Sequence, residues 1–321
     1  MKILVSGAAG FIGAHLGSRL ESEGHECVYL DRISPYYSPE YKKLRAQTLL
    51  GDKLYEFEIS DDRTEKLFAD EDFECVVHLA AQPGVRVSYP HNLSYFRDNI
   101  EAFSRIASLA VKHNVPKFIY ASSSSVYEKS ESFPFVESEM LGQPTGLYPY
   151  TKWLNEGLAK KLHQLSNTKF VGLRFFSVYG PWGRPDMAYL RLIAAARGQF
   201  EFNLNGDGLI KRDFTFVDDV IRRLILLIES EENLPEVLNI GGSNEVSLLD
   251  LVNSIQRATG VSIPLHYVDP DGQDIPVTKS NGLLLDKTVG VFPYTSLDEG
   301  IMTTVKWFDE IRQKFDSKNW F

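Results

Sequence analysis

The chain has 321 residues, a length that suggests two domains or one large α/β unit with an appendage. Apolar residues make up 43% of it and charged residues 24%, as in a globular rather than a disordered protein. The formal charge of -9 argues against a nucleic-acid-binding protein, which needs clustered cationic charge to neutralise phosphates.

The first half of the chain alternates short strand-like and helix-like segments. Helical spacing of apolar residues is clearest at Phe11–Leu20 and Leu93–Lys112. Strands that alternate with helices are typical of an α/β fold with a Rossmann-type doubly wound parallel sheet. The apolar runs that predict the strands are Lys2–Val5, Glu26–Leu30, Leu54–Ile59, Val76–Leu79 and Lys117–Tyr120.

Beyond about Arg184 the segments become shorter and are interrupted by glycine and proline. Helical patterns persist at Asp218–Glu229, Leu248–Ala258 and Leu297–Phe308. This change favours a smaller α+β lobe that completes a cleft. We therefore expect a dinucleotide-binding Rossmann domain over residues 1–180 and a mainly substrate-binding lobe over residues 181–321, partly interleaved with the first.

A glycine-rich segment, Ser6–Gly13, follows the first strand and opens the first helix. In its G-x-x-G-x-x-G spacing, Gly7 permits a tight turn and Gly10 lets backbone N–H groups approach a pyrophosphate. Gly13 lets the helix pack closely on the strand. The carboxylate of Asp31, 18 residues after Gly13 at the end of the second strand, can accept hydrogen bonds from both ribose hydroxyls. These features indicate a dinucleotide site.

The residue after that aspartate leaves the choice of dinucleotide open. A carboxylate at the strand end favours NAD, because it can accept hydrogen bonds from both ribose hydroxyls. Arg32 is basic, however, and a basic side chain at this position can tolerate a 2′-phosphate. The sequence therefore favours NAD and does not exclude NADP.

Tyr148 and Lys152 are four residues apart in a helical stretch and share one face of the helix. A nearby ammonium stabilises a phenolate, so we expect Lys152 to lower the tyrosine pKa from about 10 and make Tyr148 a general base. Ser122–Ser125 follow the strand that ends at Tyr120. A hydroxyl there can share the substrate proton with Tyr148, although a serine-rich turn explains the same residues.

Together these segments resemble the extended short-chain dehydrogenase/reductase family, the nucleotide-sugar epimerases and dehydratases. The resemblance covers essentially the whole chain. Beyond the glycine loop and the tyrosine–lysine pair, it rests on His78–Gln82, Ser122–Tyr127 and Arg212–Thr215.

The resemblance implies NAD as the cofactor and Tyr148, Lys152 and Ser123 as the catalytic residues. Glu58 and Ile59 fall where this family contacts adenine. The implied cofactor-binding residues are Gly7, Gly10, Phe11, Ile12, Gly13, Asp31, Glu58, Ile59, Leu79, Ala80, Ala81, Asn99, Tyr148 and Lys152.

Within the family, the likeness is closest to the UDP-glucuronate 4-epimerases. Four stretches carry it: Tyr36–Pro39, Gln82–Arg86, Arg174–Met187 and Ile275–Thr278. The implied reaction is epimerisation of a UDP-sugar at C4 through a 4-keto intermediate, with UDP-glucuronate to UDP-galacturonate as the favoured conversion.

The UDP-sugar is expected to bind through hydroxyl groups and arginines. Arginine forms bidentate pairs with phosphate and carboxylate, although an ordinary surface arginine is an even alternative for Arg191. We expect Ser177, with Arg184 and the Gly84–Arg86 loop, to hold the substrate carboxylate away from the alignment that causes decarboxylation. The predicted substrate-binding residues are Arg86, Ser124, Ser125, Ser177, Arg184, Arg191, Arg212 and Asp274.

Other reactions of this fold remain as alternatives. A 4-epimerase for UDP-glucose or a UDP-N-acetylhexosamine stays open, because Ser177 replaces the threonine usual in UDP-glucuronate 4-epimerases. Sugar-nucleotide 4,6-dehydratases carry Asp-Glu at Ser124–Ser125, and uronate decarboxylases carry Glu at Ser125, so both are disfavoured. A non-catalytic NAD-binding sensor is disfavoured by the complete catalytic set.

The cellular location and the binding partners of the protein are predicted from its composition and its family resemblance. No apolar run reaches the about 18 to 20 residues that span a bilayer, and the two cysteines, Cys27 and Cys75, sit in apolar runs. We expect a soluble cytoplasmic protein with no metal and no membrane or nucleic-acid partner. The family resemblance implies a homodimer that pairs through the Leu93–Lys112 and Tyr148–Leu165 helices.

Overall fold

The computed structural model describes residues 1–84, 94–130, 132–269, 277–314 and 320. The strands are β1 (Lys2–Ser6), β2 (Glu26–Asp31), β3 (Leu54–Glu56), β4 (Cys75–His78), β5 (Lys117–Ser123), β6 (Lys169–Phe175), β7 (Ser177–Tyr179), β8 (Phe202–Asn205), β9 (Lys211–Phe216), β10 (Val237–Ile240), β11 (Glu245–Ser247) and β12 (Leu265–Val268).

Helices alternate with single strands as far as β6, and beyond it some strands follow one another directly. They are α1 (Phe11–Ser22), α2 (Pro39–Leu50), α3 (Asp62–Asp70), α4 (Ala102–Lys112), α5 (Leu147–Leu165), α6 (Ala188–Ala196), α7 (Val217–Glu229), α8 (Leu248–Thr259), α9 (Leu283–Val289) and α10 (Leu297–Lys314). Among the described residues, no helix is long and apolar enough to cross a membrane.

A seven-stranded parallel sheet in the order β10-β6-β5-β4-β1-β2-β3 forms the centre of the molecule. Residues 3–5 and 75–77 are fully buried because helices cover both faces of these central strands. The strand order reverses between β1 and β4, where a cleft opens beyond the carboxyl ends of the strands. The predicted doubly wound sheet is confirmed.

The parallel sheet draws on both halves of the chain. β10 pairs with β6, and α7 packs against α1, so residues 217–240 belong to the layers of the central sheet. The smaller sheets, β11-β9-β7 and β12-β8, lie in the second half. The central sheet therefore extends across the expected boundary at residue 180.

Three predicted elements have different ends in the structure. β3 stops at Glu56, so Glu58 and Ile59 lie in the following loop. The helix expected from Leu93, itself outside the described residues, includes a π-helical stretch at Phe96–Glu101 before α4. The last helix continues to Lys314.

A short segment of the second half is held by side chains of the first. The consecutive carbonyl oxygens of residues 181–183 accept hydrogen bonds from His15 Nε2, Arg45 Nη1 and Tyr41 Oη, each at 2.8 Å. Arg184 follows this segment, so α1 and α2 fix the point from which its side chain enters the cleft.

The guanidinium of Arg45 also reaches the glycine loop. It is fully buried, and its Nε donates to the Ala9 carbonyl at 2.9 Å. One side chain therefore joins the glycine loop to the segment that precedes Arg184.

Close packing of this segment generates a test of the fold. A Cβ added at Gly183 would lie 1.5 Å from Tyr189 Oη, and the Tyr189 ring is fully buried. Gly183→Ala should lower the free energy of unfolding by about 3 kcal/mol, measured by urea denaturation. The matched control is Gly157→Ala in α5, where a Cβ meets no atom within 4 Å; it should raise stability by about 1 kcal/mol. Equal effects of the two substitutions would contradict this packing.

Candidate active site

A cleft of about 970 Å³ lies at the carboxyl ends of the parallel strands and extends into the second half of the chain. Its volume is at the upper end of the range for small-molecule sites. The predicted site residues that line it are Gly7, Gly10, Phe11, Ile12, Gly13, Asp31, Glu58, Ile59, Leu79, Ala80, Ala81, Ser123, Ser124, Ser125, Tyr148, Lys152, Ser177, Arg184 and Arg212.

One end of the cleft is the glycine loop, where there is no room for side chains. Gly7 has a φ of +77°, and a Cβ there would lie 2.5 Å from the backbone nitrogen of Ala80. A Cβ at Gly13 would lie 2.2 Å from the Gly7 carbonyl oxygen. The N-cap of α1, Gly10, provides no side-chain cap, so the first backbone N–H groups of the helix face the cleft. This cradle fits the pyrophosphate of a dinucleotide.

Asp31 is held in place beside this loop. Its carboxylate accepts hydrogen bonds from the backbone N–H of Ala9 at 3.0 Å and of Ile33 at 2.8 Å. Each oxygen keeps a further lone pair for a ligand. The carboxylate is therefore oriented before any ribose binds.

Lys42 lines the same end of the cleft and was not among the predicted site residues. Its ammonium donates to the carbonyl and hydroxyl oxygens of Ser34 at 2.6 and 2.9 Å. Burial lowers its pKa to about 8. The sequence does not predict a buried Lys42, because α2 has no distinct apolar face from which its burial could be inferred.

The other end of the cleft holds the predicted catalytic side chains. Tyr148 and Ser123 both line this end, and the Ser123 hydroxyl accepts a hydrogen bond from the Ser125 hydroxyl at 2.9 Å. Lys152 Nζ donates to the Ala121 carbonyl at 2.9 Å and lies 6.0 Å from the centre of the Tyr148 ring. The carboxyl end of β5 and the first turns of α5 bring these groups together.

The pKa of Tyr148 is not lowered as expected in the protein by itself, and Lys152 is not among the groups that shift it. Burial raises the pKa of Tyr148, and the neighbouring Ser123 side chain and the charge of Arg184 oppose that rise. Burial also lowers the pKa of Lys152 to about 8, against the opposing charge of Glu156. Removal from water disfavours the charged form of both side chains.

A buried ion pair between Glu156 and Arg174 lies next to Lys152, and the charge of Glu156 acts on the Lys152 ammonium. Glu156, one helical turn further along α5, accepts from Arg174 Nε at 2.9 Å and Nη2 at 2.8 Å. The Ser122 hydroxyl donates to the same carboxylate at 2.5 Å. These contacts tie α5, which carries Tyr148 and Lys152, to β5 and β6.

Ser177, Arg184 and Arg212 line the part of the cleft formed by the second half of the chain. Arg184 forms an ion pair with Asp186 at 2.5 Å and lies 5.8 Å from the centre of the Tyr36 ring. These side chains place two guanidinium groups and a hydroxyl where an anionic substrate can enter.

Asn99 was predicted to bind the cofactor, but it does not line the cleft. It is buried, and its carbonyl oxygen accepts from the Gln82 backbone N–H at 2.7 Å. Its amide donates to the Gln82 carbonyl at 3.1 Å and to the Thr151 hydroxyl at 3.0 Å. The side chain instead joins the loop after β4 to α5.

Arg191 was predicted to bind substrate, but it lies outside the cleft. It is exposed on α6, where its guanidinium lies 5.6 and 5.7 Å from the ring centres of Phe200 and Phe202. This position is that of an ordinary surface arginine, the alternative given for Arg191 above. Two further predicted substrate residues, Arg86 and Asp274, lie outside the described residues.

The family of the chain is established by comparison with known proteins. The model of the NAD dependent epimerase/dehydratase family matches residues 3–241, so the chain belongs to this family. Protein CapI of Staphylococcus aureus is 36% identical, over 98% of this chain and 100% of its own. UDP-glucuronate 4-epimerase 4 of Arabidopsis thaliana is 34% identical, over 95% of this chain and 75% of its own.

A solved structure gives the same likeness in three dimensions. The chain is similar to UDP-glucuronic acid 4-epimerase from Bacillus cereus, crystallised with UDP-glucuronic acid and NAD. The two share 32% identity and a TM-score of 0.89, over 97% of this chain and 100% of that one.

The buried ammonium generates a test of the site. A folded-state pKa of about 8 for Lys152, against about 10.5 in the unfolded chain, costs about 3 kcal/mol at neutral pH. Lys152→Met removes this cost and loses one hydrogen bond of about 1 kcal/mol, so the variant should be about 2 kcal/mol more stable at pH 7. The difference should shrink as pH rises from 8 to 10.5, because the parent lysine becomes neutral in the folded state first.

Urea denaturation of the variant and the parent at pH 7 and pH 10 measures this difference. Lys160→Met, on the same helix, is the matched control, because its side chain is 60% exposed and its ion pair is long, at 3.8 Å. A Lys152→Met protein that is less stable than the parent at pH 7 would contradict the assignment of a destabilising buried charge.

Proposed function

We propose that the protein is an NAD-dependent UDP-glucuronate 4-epimerase that interconverts UDP-glucuronate and UDP-galacturonate. One observation carries the proposal: Ser123, Tyr148 and Lys152 lie in the same cleft as a glycine cradle with a fixed aspartate. Relatives with this function are over 30% identical across almost the whole chain.

NAD fits the glycine end of the cleft. The N–H groups of α1 receive the pyrophosphate and Asp31 receives the adenosine ribose. When bound, the nicotinamide supplies a reversible hydride acceptor for C4 of the sugar. Lys152 holds the nicotinamide ribose, and the cofactor is regenerated in each cycle.

Proton transfer is assigned to Tyr148 and Ser123. The Tyr148 phenolate takes the proton of the 4-hydroxyl, and the Ser123 hydroxyl bonds the same oxygen. Because burial raises the pKa of Tyr148, a protonated Lys152 is needed to stabilise the phenolate. A pKa of about 8 keeps Lys152 mostly protonated near neutral pH.

A uronate substrate places one special demand on the cleft. The 4-keto sugar is a β-keto acid, which decarboxylates when its carboxylate bond aligns with the carbonyl π system. The carboxylate must therefore be held by fixed hydrogen-bond donors while the 4-keto sugar rotates to present its opposite face to the nicotinamide. We assign this role to Ser177 and Arg184, which line the same part of the cleft, and the diphosphate to Arg212.

Assembly and location follow as further parts of the proposal. We infer that α4 and α5, which pack side by side, pair with a second copy to form a homodimer. Phe96, before α4, is 48% exposed and Leu165, at the end of α5, is 81% exposed, in accord with a partly apolar surface. The free cysteines Cys27 and Cys75 accord with the reducing cytoplasm.

A panel of UDP-sugars, followed by NMR, tests the proposed function. UDP-glucuronate should yield UDP-galacturonate faster than UDP-glucose yields UDP-galactose. Tyr148→Phe is the control, because it removes the proton acceptor with little change in shape. It should lower turnover by about 10² to 10⁴ while keeping NAD and UDP-sugar binding. Faster turnover of UDP-glucose, or a fully active Tyr148→Phe protein, would overturn the assignment.

A further inference from the structure

An unbroken chain of opposite charges lies along the glycine end of the cleft. Arg32 Nη1 lies 3.2 Å from Glu58 Oε1, and Arg32 Nη2 lies 2.6 Å from Asp98 Oδ2. The other oxygen of Asp98 lies 2.8 Å from Arg97 Nε. All four side chains line the cleft. We call this set, Arg97, Asp98, Arg32 and Glu58, the charge chain.

The charge chain adjoins the carboxylate assigned to the adenosine ribose. Arg32 follows Asp31 directly, and Glu58 comes two residues after β3, the strand that pairs with β2. A phosphate on the ribose 2′-oxygen carries a charge of about -1.5 to -2 and needs free cationic donors near Asp31. Arg32 is the nearest such residue in sequence, and the ammonium of Lys42 at the same end already donates to two oxygens of Ser34. The partners of Arg32 therefore bear directly on whether the site accepts that phosphate.

Both terminal nitrogens of Arg32 already have carboxylate partners. The Asp98 side chain is only 9% exposed and the Arg32 side chain 22%, so this ion pair is screened less than a surface pair. Asp98 is also fixed by Arg97 and by its place in the first turn of the π-helical stretch, where an acidic side chain is favoured. Freeing Arg32 for a phosphate would leave the Asp98 carboxylate without its shorter ion pair.

We propose that Glu58 and Asp98 make the cleft select NAD over NADP by engaging Arg32 in the charge chain. The inference rests on the proposed function, which assigns a dinucleotide to this cleft. A 2′-phosphate would meet three carboxylates, those of Asp31, Glu58 and Asp98, and an arginine that is already paired. The hydroxyls of NAD instead donate to Asp31 and leave the charge chain intact.

Dinucleotide binding tests this selection without requiring turnover. The Glu58→Gln/Asp98→Asn protein, stripped of bound dinucleotide, is titrated with NAD and with NADP by calorimetry. The parent should bind NAD at least tenfold more tightly than NADP. The double variant should raise the ratio of NADP to NAD affinity at least tenfold, because Arg32 is freed and two negative charges are lost. Adding Arg32→Ala should abolish that gain.

A matched control separates the charge chain from the net charge of the protein. Glu56→Gln/Glu65→Gln also removes two carboxylates, which pair with Lys43 and Lys112 and do not line the cleft. This control should leave the affinity ratio within about twofold of the parent. If the double variant fails to fold, Asp98→Asn alone, which removes the shorter ion pair, should raise the ratio at least threefold.

Two results would overturn the proposal. One is a parent protein that binds NADP as tightly as NAD; the other is a folded Asp98→Asn or double variant whose affinity ratio does not change. A protein that binds NAD selectively but epimerises no UDP-sugar would overturn the proposed function and leave the selection mechanism standing.

Discussion

The rest of the site depends on how closely the first turn of α1 approaches the ends of β1 and β4. Side chains are excluded at Gly7 and Gly13, where a Cβ would lie 2.5 and 2.2 Å from backbone atoms. The close approach turns the N–H groups of α1 toward the cleft. It also brings the Ala9 N–H to the Asp31 carboxylate and the Ala9 carbonyl to the buried guanidinium of Arg45. The backbone of Ala9 is therefore bonded both to Asp31 and, through Arg45, to the segment that precedes Arg184.

At the opposite end of the cleft, burial works against ionisation of the groups that the chemistry requires. It raises the pKa of Tyr148 and lowers that of Lys152 to about 8. A low effective dielectric would also strengthen the attraction between an ammonium and a phenolate once both had formed. The ion pair between Glu156 and Arg174 joins α5, which carries both side chains, to β6. Ionisation of Tyr148 or Lys152 is therefore costly to the fold.

Local patterns in the sequence predict much of this architecture. Alternating strands and helices, a glycine loop after the first strand and an i, i+4 pair at a helix start all follow from short-range chemistry. They do not predict what burial and long-range packing decide. The pKa of Tyr148 depends on removal from water, which spacing does not report. Asn99 carries a suitable amide but bonds the loop at Gln82. Arg191 carries a suitable guanidinium but lies against two phenylalanine rings.

Two residues of the cleft, Lys42 and Asp98, belong to no sequence motif. They line the cleft because of the way α2 and the π-helical stretch pack.

In the proposed epimerisation, C4 loses and regains the same hydrogen, because the hydride moves to the nicotinamide and back without exchange with solvent. The most direct measurement is NMR of the product formed from UDP-glucuronate deuterated at C4, in ordinary water. The site described here should yield UDP-galacturonate with the deuterium retained at C4 and no pentose by-product. Solvent hydrogen at C4 of the product, or a decarboxylated sugar as the main product, would contradict it.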